Sequence, residues 1–201
     1  MWSIIQAAGW PIWPLIIASI VALALIFERL WSLRQGIVAP AGMVDQVLAE
    51  FRQSGATPEL LQRTASRGPL GRILAAGLAN VKAPRPVMKE AIEEAGRLVA
   101  HDLDRFLTTL GTIAAMAPLL GLFGTVVGMI EIFGSQGAAG SNPLQLAHGI
   151  SVALYNTAFG LIVAIPSMIF YRHFRARVDT LLVEMEHQAI RLVDFAHGER
   201  S

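Results

Sequence analysis

Cysteine is missing from all 201 residues, which excludes disulfides, thiolate nucleophiles and cysteine metal sites. Charge is scarce: 15% of the residues are Asp, Glu, Lys or Arg, where a soluble domain carries about a quarter. The 16 Lys and Arg nearly cancel the 15 Asp and Glu, so there is no bulk electrostatic attraction to nucleic acid. The five His have no short metal-ligand spacing, and no phosphate loop or nucleophile–base pair is visible. An enzyme is therefore not expected, and no metal or cofactor is implied. The longest gap in charge runs from Phe106 to Tyr171, which holds no Lys, no Arg and one carboxylate, Glu131.

Apolar residues fill that gap. They make up 54% of the chain, and the mean hydropathy is +0.52. A helix needs roughly 20 apolar residues to cross a hydrocarbon layer. Three stretches qualify: residues 11–33, 106–133 and 148–171. Trp10, Trp13 and Trp31 flank the first, as interfacial Trp does, and Pro11 and Pro14 fall in its first turn, where Pro costs little. Met1 to Pro11 lacks the basic region of a signal peptide, so this span is read as retained. The last two spans form a hairpin around a Gly-, Ser- and Asn-rich loop at 134–147. Glu28 beside Arg29 reads as an interface anchor at the end of the first span, and Arg172, His173, Arg175 and Arg177 as a cluster facing lipid headgroups or anionic neighbours.

Residues 34–105 have soluble composition. Met43, Val44, Val47, Leu48 and Phe51 have helical spacing. Thr57 and Pro58 mark the start of a helix over about 58–66, and another follows over about 69–81. The Pro84–Pro86 segment is a stop, after which a helix pattern runs through Arg105 into Phe106 with no break signal. At the other end, 172–201 carries an apolar stripe of Val178, Leu181, Leu182, Met185, Ala189 and Leu192, which needs a partner to bury it. Eleven of the Lys and Arg lie between Arg29 and Arg105 and five from Arg172 onward, with none in the 1–10 tail or the loop. The positive-inside rule then places 34–105 and 172–201 in the cytoplasm, and the N-terminus and the loop in the periplasm. The expected fold is all-α: a multi-pass membrane protein of three transmembrane helices, two of them extended into a cytoplasmic helical bundle. Three spans enclose no pore of their own, so a homo-oligomer in contact with membrane lipids is expected.

Polar groups within the hairpin are the candidate functional residues, because they are costly in lipid. Thr125 and Thr157 lie about nine residues from their loop ends, which puts both roughly 13 Å deep at 1.5 Å per residue. Two readings stand side by side: hydroxyls that pass a proton or cation, with Asn156 adjacent, or hydroxyls bonded to the carbonyl one turn back. Glu131 and His148 sit near the outer end of the hairpin as candidate pore-mouth groups, or as wetted interfacial ones. His148, Val152 and Asn156 recur every four residues on one face. Gly121, Gly124 and Gly128, with Ala153, Gly160 and Ala164, have small-residue spacing that lets helices approach closely. Pro118 and Pro166 lie inside the spans as kink or hinge positions, and Pro166 is grouped with Gly121, Gly124, Gly128 and Gly160 as a helix-packing residue.

The segments APLLGLFGTVVGMIEIF (117–133) and GISVALYNTAFGLIVAIPS (149–167) resemble the MotA/TolQ/ExbB proton-channel family, on its ExbB/TolQ side. The resemblance implies an inner-membrane proton-channel or motor subunit driven by the proton motive force. It implies a ring of five copies around an ExbD- or TolR-like protein whose single span carries an Asp. It also implies output to a TonB- or TolA-like protein for outer-membrane transport or integrity. The family's two lumen threonines match Thr125 and Thr157. One position departs: where ExbB and TolQ usually carry Glu in helix three, this chain has Val152. A scaffold without conduction, and a Na⁺-driven motor of the same family, remain the alternatives.

Overall fold

The computed structural model describes residues 9–135 and 143–198, and every regular element among them is an α-helix. In chain order these are α1 (Ile12–Ser32), α2 (Gln35–Val38), α3 (Met43–Ser54), α4 (Pro58–Ala65), α5 (Pro69–Ala79), α6 (Arg85–Asp104), α7 (Leu107–Ser135) and α8 (Pro143–Ala196). Three stretches, within Ile12–Ser32, Arg85–Gly134 and Ala147–Ala196, are long and apolar enough to cross a membrane. The chain divides into two compact units, Met1–Glu28 with Phe106–His173, and Arg29–Arg105 with Phe174–Ser201.

The first unit packs small residues inward and large ones outward. Leu15, Ala117, Val163 and Ala164 form its buried centre, with Ile113, Leu120 and Phe159 against them. Ile17, Ile20, Leu23, Phe27, Leu119, Val126, Ile130, Leu154, Ile162 and Ile169 face outward. In water this would be an exposed apolar patch far beyond what a soluble protein tolerates. In lipid it is the expected arrangement, because helices there associate through close packing rather than through hiding Leu and Ile. Trp10 meets Phe123 edge-on at 6.0 Å between ring centroids.

The second unit is built the other way round. Val44, Val47, Leu60, Leu70, Leu74, Leu78, Met88 and Val99 are fully buried, together with Val178, Leu181, Met185, Ala189 and Leu192 of α8. Leu182 is only half-buried, and Phe174 takes part in the buried stripe instead. At Gly77 of α5 a Cβ would stand 2.9 Å from Leu192 Cδ2 and 3.0 Å from Ile92 Cδ1, so α5, α6 and α8 meet there. Thr57 caps α4 as its sequence indicates, accepting from the Leu60 N–H at 3.3 Å with Pro58 following. Gly71, at the start of α5, is required by space: a Cβ would lie 2.1 Å from Thr64 O. Ion pairs tie the surface, among them Arg85–Asp194 at 3.0 Å, Arg191–Asp45 at 2.6 Å and Arg175–Asp104 at 2.7 Å.

Three expectations are corrected. Helical geometry extends to Ser135 and resumes at Pro143, so both ends of the stretch read as loop are helical, Pro143 serving as a first-turn proline. Residues 136–142 lie outside the described residues, as do most of the 1–10 tail and residues 199–201. The helix expected to run unbroken through Arg105 is interrupted by a turn at Arg105 and Phe106. At this turn Arg29 Nη1 donates to Leu103 O at 3.0 Å, the carbonyl that a continuing helix would offer to residue 107. Arg29 is thus not a headgroup anchor but a buried residue, 5% exposed. Of the basic cluster after the third span, Arg175 meets an anionic neighbour, Asp104.

Candidate functional site

The hairpin of α7 and the first half of α8 is assembled by glycine. A Cβ at Gly160 would stand 2.6 Å from Ala117 O and 3.1 Å from Gly121 Cα, and one at Gly121 would stand 2.7 Å from Asn156 O. Real Cβ atoms do not come so near backbone, so any larger residue would push the helices apart. Further along, Gly124 faces the Asn156 side chain, Gly128 faces Ala153, with 3.2 Å to its Cβ, and Gly149 faces Ile132. Each step forward on α7 is a step back on α8, as in an antiparallel pair. Thr157 Cα lies 3.0 Å from where a Cβ at Gly121 would stand, and Thr125 follows Gly124, which faces Asn156. The two threonines thus lie within about one helical turn, roughly 5.4 Å, of each other along the helix axis.

Both threonines are half-buried. Thr125 Oγ1 donates to Leu122 O at 2.6 Å, the back-bonding common for hydroxyls in membrane helices. That bond uses the hydroxyl's proton and leaves its oxygen able to accept another. Asn156 is buried, 1% exposed, and its amide packs in the hollow left by Gly124.

A cleft of about 390 Å³ opens beside this seam. Glu131, His148, Val152 and Asn156 line it, with Gly128, Gly149, Ala153 and Pro11. The four-residue spacing of His148, Val152 and Asn156 therefore becomes one wall, and Glu131 supplies the facing charge from α7. Glu131 and His148 are exposed, Val152 is half-buried and Asn156 closes the floor. The structure brings these four together but leaves Thr125 and Thr157 outside the cleft lining. Pro166 is exposed, so it does not sit in the seam where the small-residue pattern had grouped it. Pro118 is half-buried, and helical geometry continues past both prolines.

Glycines that admit backbone to backbone contact, with two hydroxyls within about a turn of each other, are features that a known family can be compared against. A sequence model of the MotA/TolQ/ExbB proton channel family matches residues 65–187, more than half of the chain. The chain belongs to this family. The biopolymer transport protein exbB1 of Vibrio cholerae is 32% identical over 190 residues, covering 90% of this chain and 82% of that protein. An ExbB-like biopolymer transport protein of Synechocystis is 34% identical over 168 residues, covering 81% of this chain and 79% of its own length. The Tol-Pal system protein TolQ of Haemophilus influenzae is 35% identical over 106 residues, 51% of this chain and 46% of that protein. The matched stretch contains every candidate residue named above, and all of them lie in the hairpin of this ExbB/TolQ-family chain.

Two features escaped sequence reasoning. Arg29 reaches a carbonyl 74 positions away, and no local pattern foretells such a pairing. The Gly124–Asn156 contact was present in the sequence only as two separate entities, a small residue and a polar one. Their spacing from Thr125 and Thr157, one position before each, was the available signal.

Proposed function

We propose that this chain is an inner-membrane subunit of an ion-driven motor of ExbB/TolQ type. Copies of it form a ring, five by the family resemblance. The ring encloses a single-span ExbD- or TolR-like protein whose membrane Asp takes up and releases protons. The N-terminus and the hairpin loop face the periplasm, and 34–105 and 172–201 face the cytoplasm. Proton flow then energises a TonB- or TolA-like protein. The observation that supports this reading best is the placement of Thr125 and Thr157 within about one helical turn of each other across a glycine seam. A hydroxyl can donate to a carboxylate and accept from a carboxylic acid, so it serves both protonation states of a partner's Asp. In the absence of a helix-three Glu, Val152 leaves that partner Asp as the titrating group, with the threonines beside it and Asn156 close by. Glu131 and His148 at the cleft are the cation-attracting groups of its mouth.

Thr157→Val, at unchanged abundance, should abolish proton-motive-force-dependent work in cells, and should stop proton uptake by liposomes holding this chain with its single-span partner. Full activity of the variant would leave a scaffold. The Thr125 bond to Leu122 O is the observation that favours the scaffold reading, since it satisfies that hydroxyl locally. Repeating the flux measurement with a Na⁺ gradient at constant pH separates the two ions.

A further inference from the structure

We infer that Asn156 is a positioning residue: its side chain, seated in the hollow left by Gly124, holds Thr125 and Thr157 in fixed register across the seam. What that register serves rests on the motor reading; the lock itself does not. A Cβ at residue 124 would stand 2.8 Å from both Cβ and Cγ of Asn156 and 3.0 Å from its Nδ2. The hollow and the amide therefore fit each other with no space for one more carbon. Each threonine directly follows one half of the lock, Gly124 before Thr125 and Asn156 before Thr157.

The neighbours in the seam do a different job. Gly121 and Gly160 present backbone only, and Ala153 only a methyl group. Such contacts set how near the helices lie but offer little resistance to sliding along them. Asn156 is the polar side chain inserted there, at 1% exposure, and a sliding helix would have to carry it out of its hollow and past a larger neighbour. Moving a buried amide toward lipid is costly, so the amide resists displacement more than a methyl group of similar reach. Asn156 also forms the floor of the cleft lined by Glu131 and His148, which are the titratable groups that share this space. Its role on this reading is to place the hydroxyls, not to carry the ion.

The chain's lack of cysteine makes the register measurable in the full-length protein in its membrane. The Gly128→Cys/Ala153→Cys pair places two Cβ atoms about 3.2 Å apart, close to the range a disulfide spans. Oxidative crosslinking of that pair should be fast in the otherwise native chain. Adding Gly124→Ala should slow it by about tenfold or more, equivalent to about 1.4 kcal/mol. The swap Gly124→Asn/Asn156→Gly should recover much of the rate. Asn156→Ala, which adds no atoms, should at unchanged abundance also slow crosslinking and lower energised work several-fold. In the surviving activity the pH midpoint should move by about half a unit or more, because the hydroxyls have shifted against the titrating carboxyl. Mere loss of folded protein would lower the profile without moving it. Unchanged crosslinking in Gly124→Ala and Asn156→Ala would overturn the lock. Slower crosslinking with the work and its pH midpoint unaltered would overturn the positioning role. Should Thr157→Val keep full work, the motor reading falls, while the crosslinking rates still decide whether the lock exists.

Discussion

The two units of this chain solve opposite packing problems with one helical vocabulary. Of the large apolar side chains exposed among the described residues, 21 lie in the first unit and 7 in the second. The first unit lines its hairpin seam with Gly, Ala and Val, buries a few large side chains such as Leu15 and Leu110, and turns most of its Ile, Leu and Phe outward. The second buries Leu, Met and Ile and turns Arg, Asp and Glu outward. The helix α8 contributes to both, with Gly160 and Ala164 buried in one and Leu181 and Met185 in the other. A helix therefore has no fixed inside. What is buried follows from the solvent: water drives large apolar groups together, whereas lipid leaves close approach of backbones as the main source of attraction.

This contrast is broken most strongly by deleting volume where water is the solvent. Met185→Ala removes a fully buried side chain from the second unit and should cost about 2–5 kcal/mol there. Amide hydrogen exchange in α5, α6 and the distal part of α8 should accelerate accordingly, while that of α7 stays as it is. Loss of protection spread evenly over both units would mean that they open as one, and the contrast would not hold.

The next effect compares two positions of equal exposure. Ile162 in the first unit is 65% exposed and Val183 in the second 66%. If both faced water, Asp at either would be nearly neutral, within about 0.5 kcal/mol. With lipid around Ile162, Ile162→Asp should cost about 2.5–3.5 kcal/mol of insertion free energy and reduce the amount of chain integrated into membranes. Val183→Asp should integrate normally. Equal integration of the two variants would remove the membrane assignment of the hairpin's outer face.

Much of this was legible from residue order. The three apolar stretches, the glycine ladder at 121, 124 and 128, the Thr57–Pro58 start and the α8 stripe all depend on neighbours within a turn or two, and local periodicity reports them. The turn at Arg105 and Phe106 was not legible: no local break signal marks it, and the Arg29 bond to Leu103 O beside it comes from far away in the chain. The burial of Arg29 was hidden for the same reason: beside Glu28 at the end of an apolar run it has every local mark of an interfacial pair. The cleft was half legible. Its α8 wall follows from the spacing of His148, Val152 and Asn156, but the closing contribution of Pro11 needed the three-dimensional arrangement. Pro166 was grouped with the packing residues by its place in the motif, and only the structure shows its outward face.

The smallest predicted effect concerns charge, which the second unit uses and the hairpin largely avoids. Glu50 accepts from Arg67 at 2.7 Å and from Arg63 at 2.6 Å. Hydrogen bonding to Arg67, then to Arg63, holds its carboxyl below the ordinary value of 4.5 against the opposing cost of partial burial. A carboxylate with a lowered folded-state pKa stabilises at pH values above its unfolded value. That contribution is lost as pH falls from about 4.5 through the lower folded value. The Glu50 side chain is 28% exposed and the pair lies near the surface, so the whole contribution should stay within about 1 kcal/mol. Melting of the full chain in detergent should therefore depend on pH slightly less in Glu50→Gln than in the native protein below pH 4.5. Arg67, 26% exposed, should matter more than Arg63 at 61%, because water screens the latter. Arg67→Ala should lower the melting temperature at neutral pH and Arg63→Ala should barely change it. The reverse order would show that desolvation of Arg67 outweighs its bond, and that even the water-facing unit gains nothing from its best-placed ion pair.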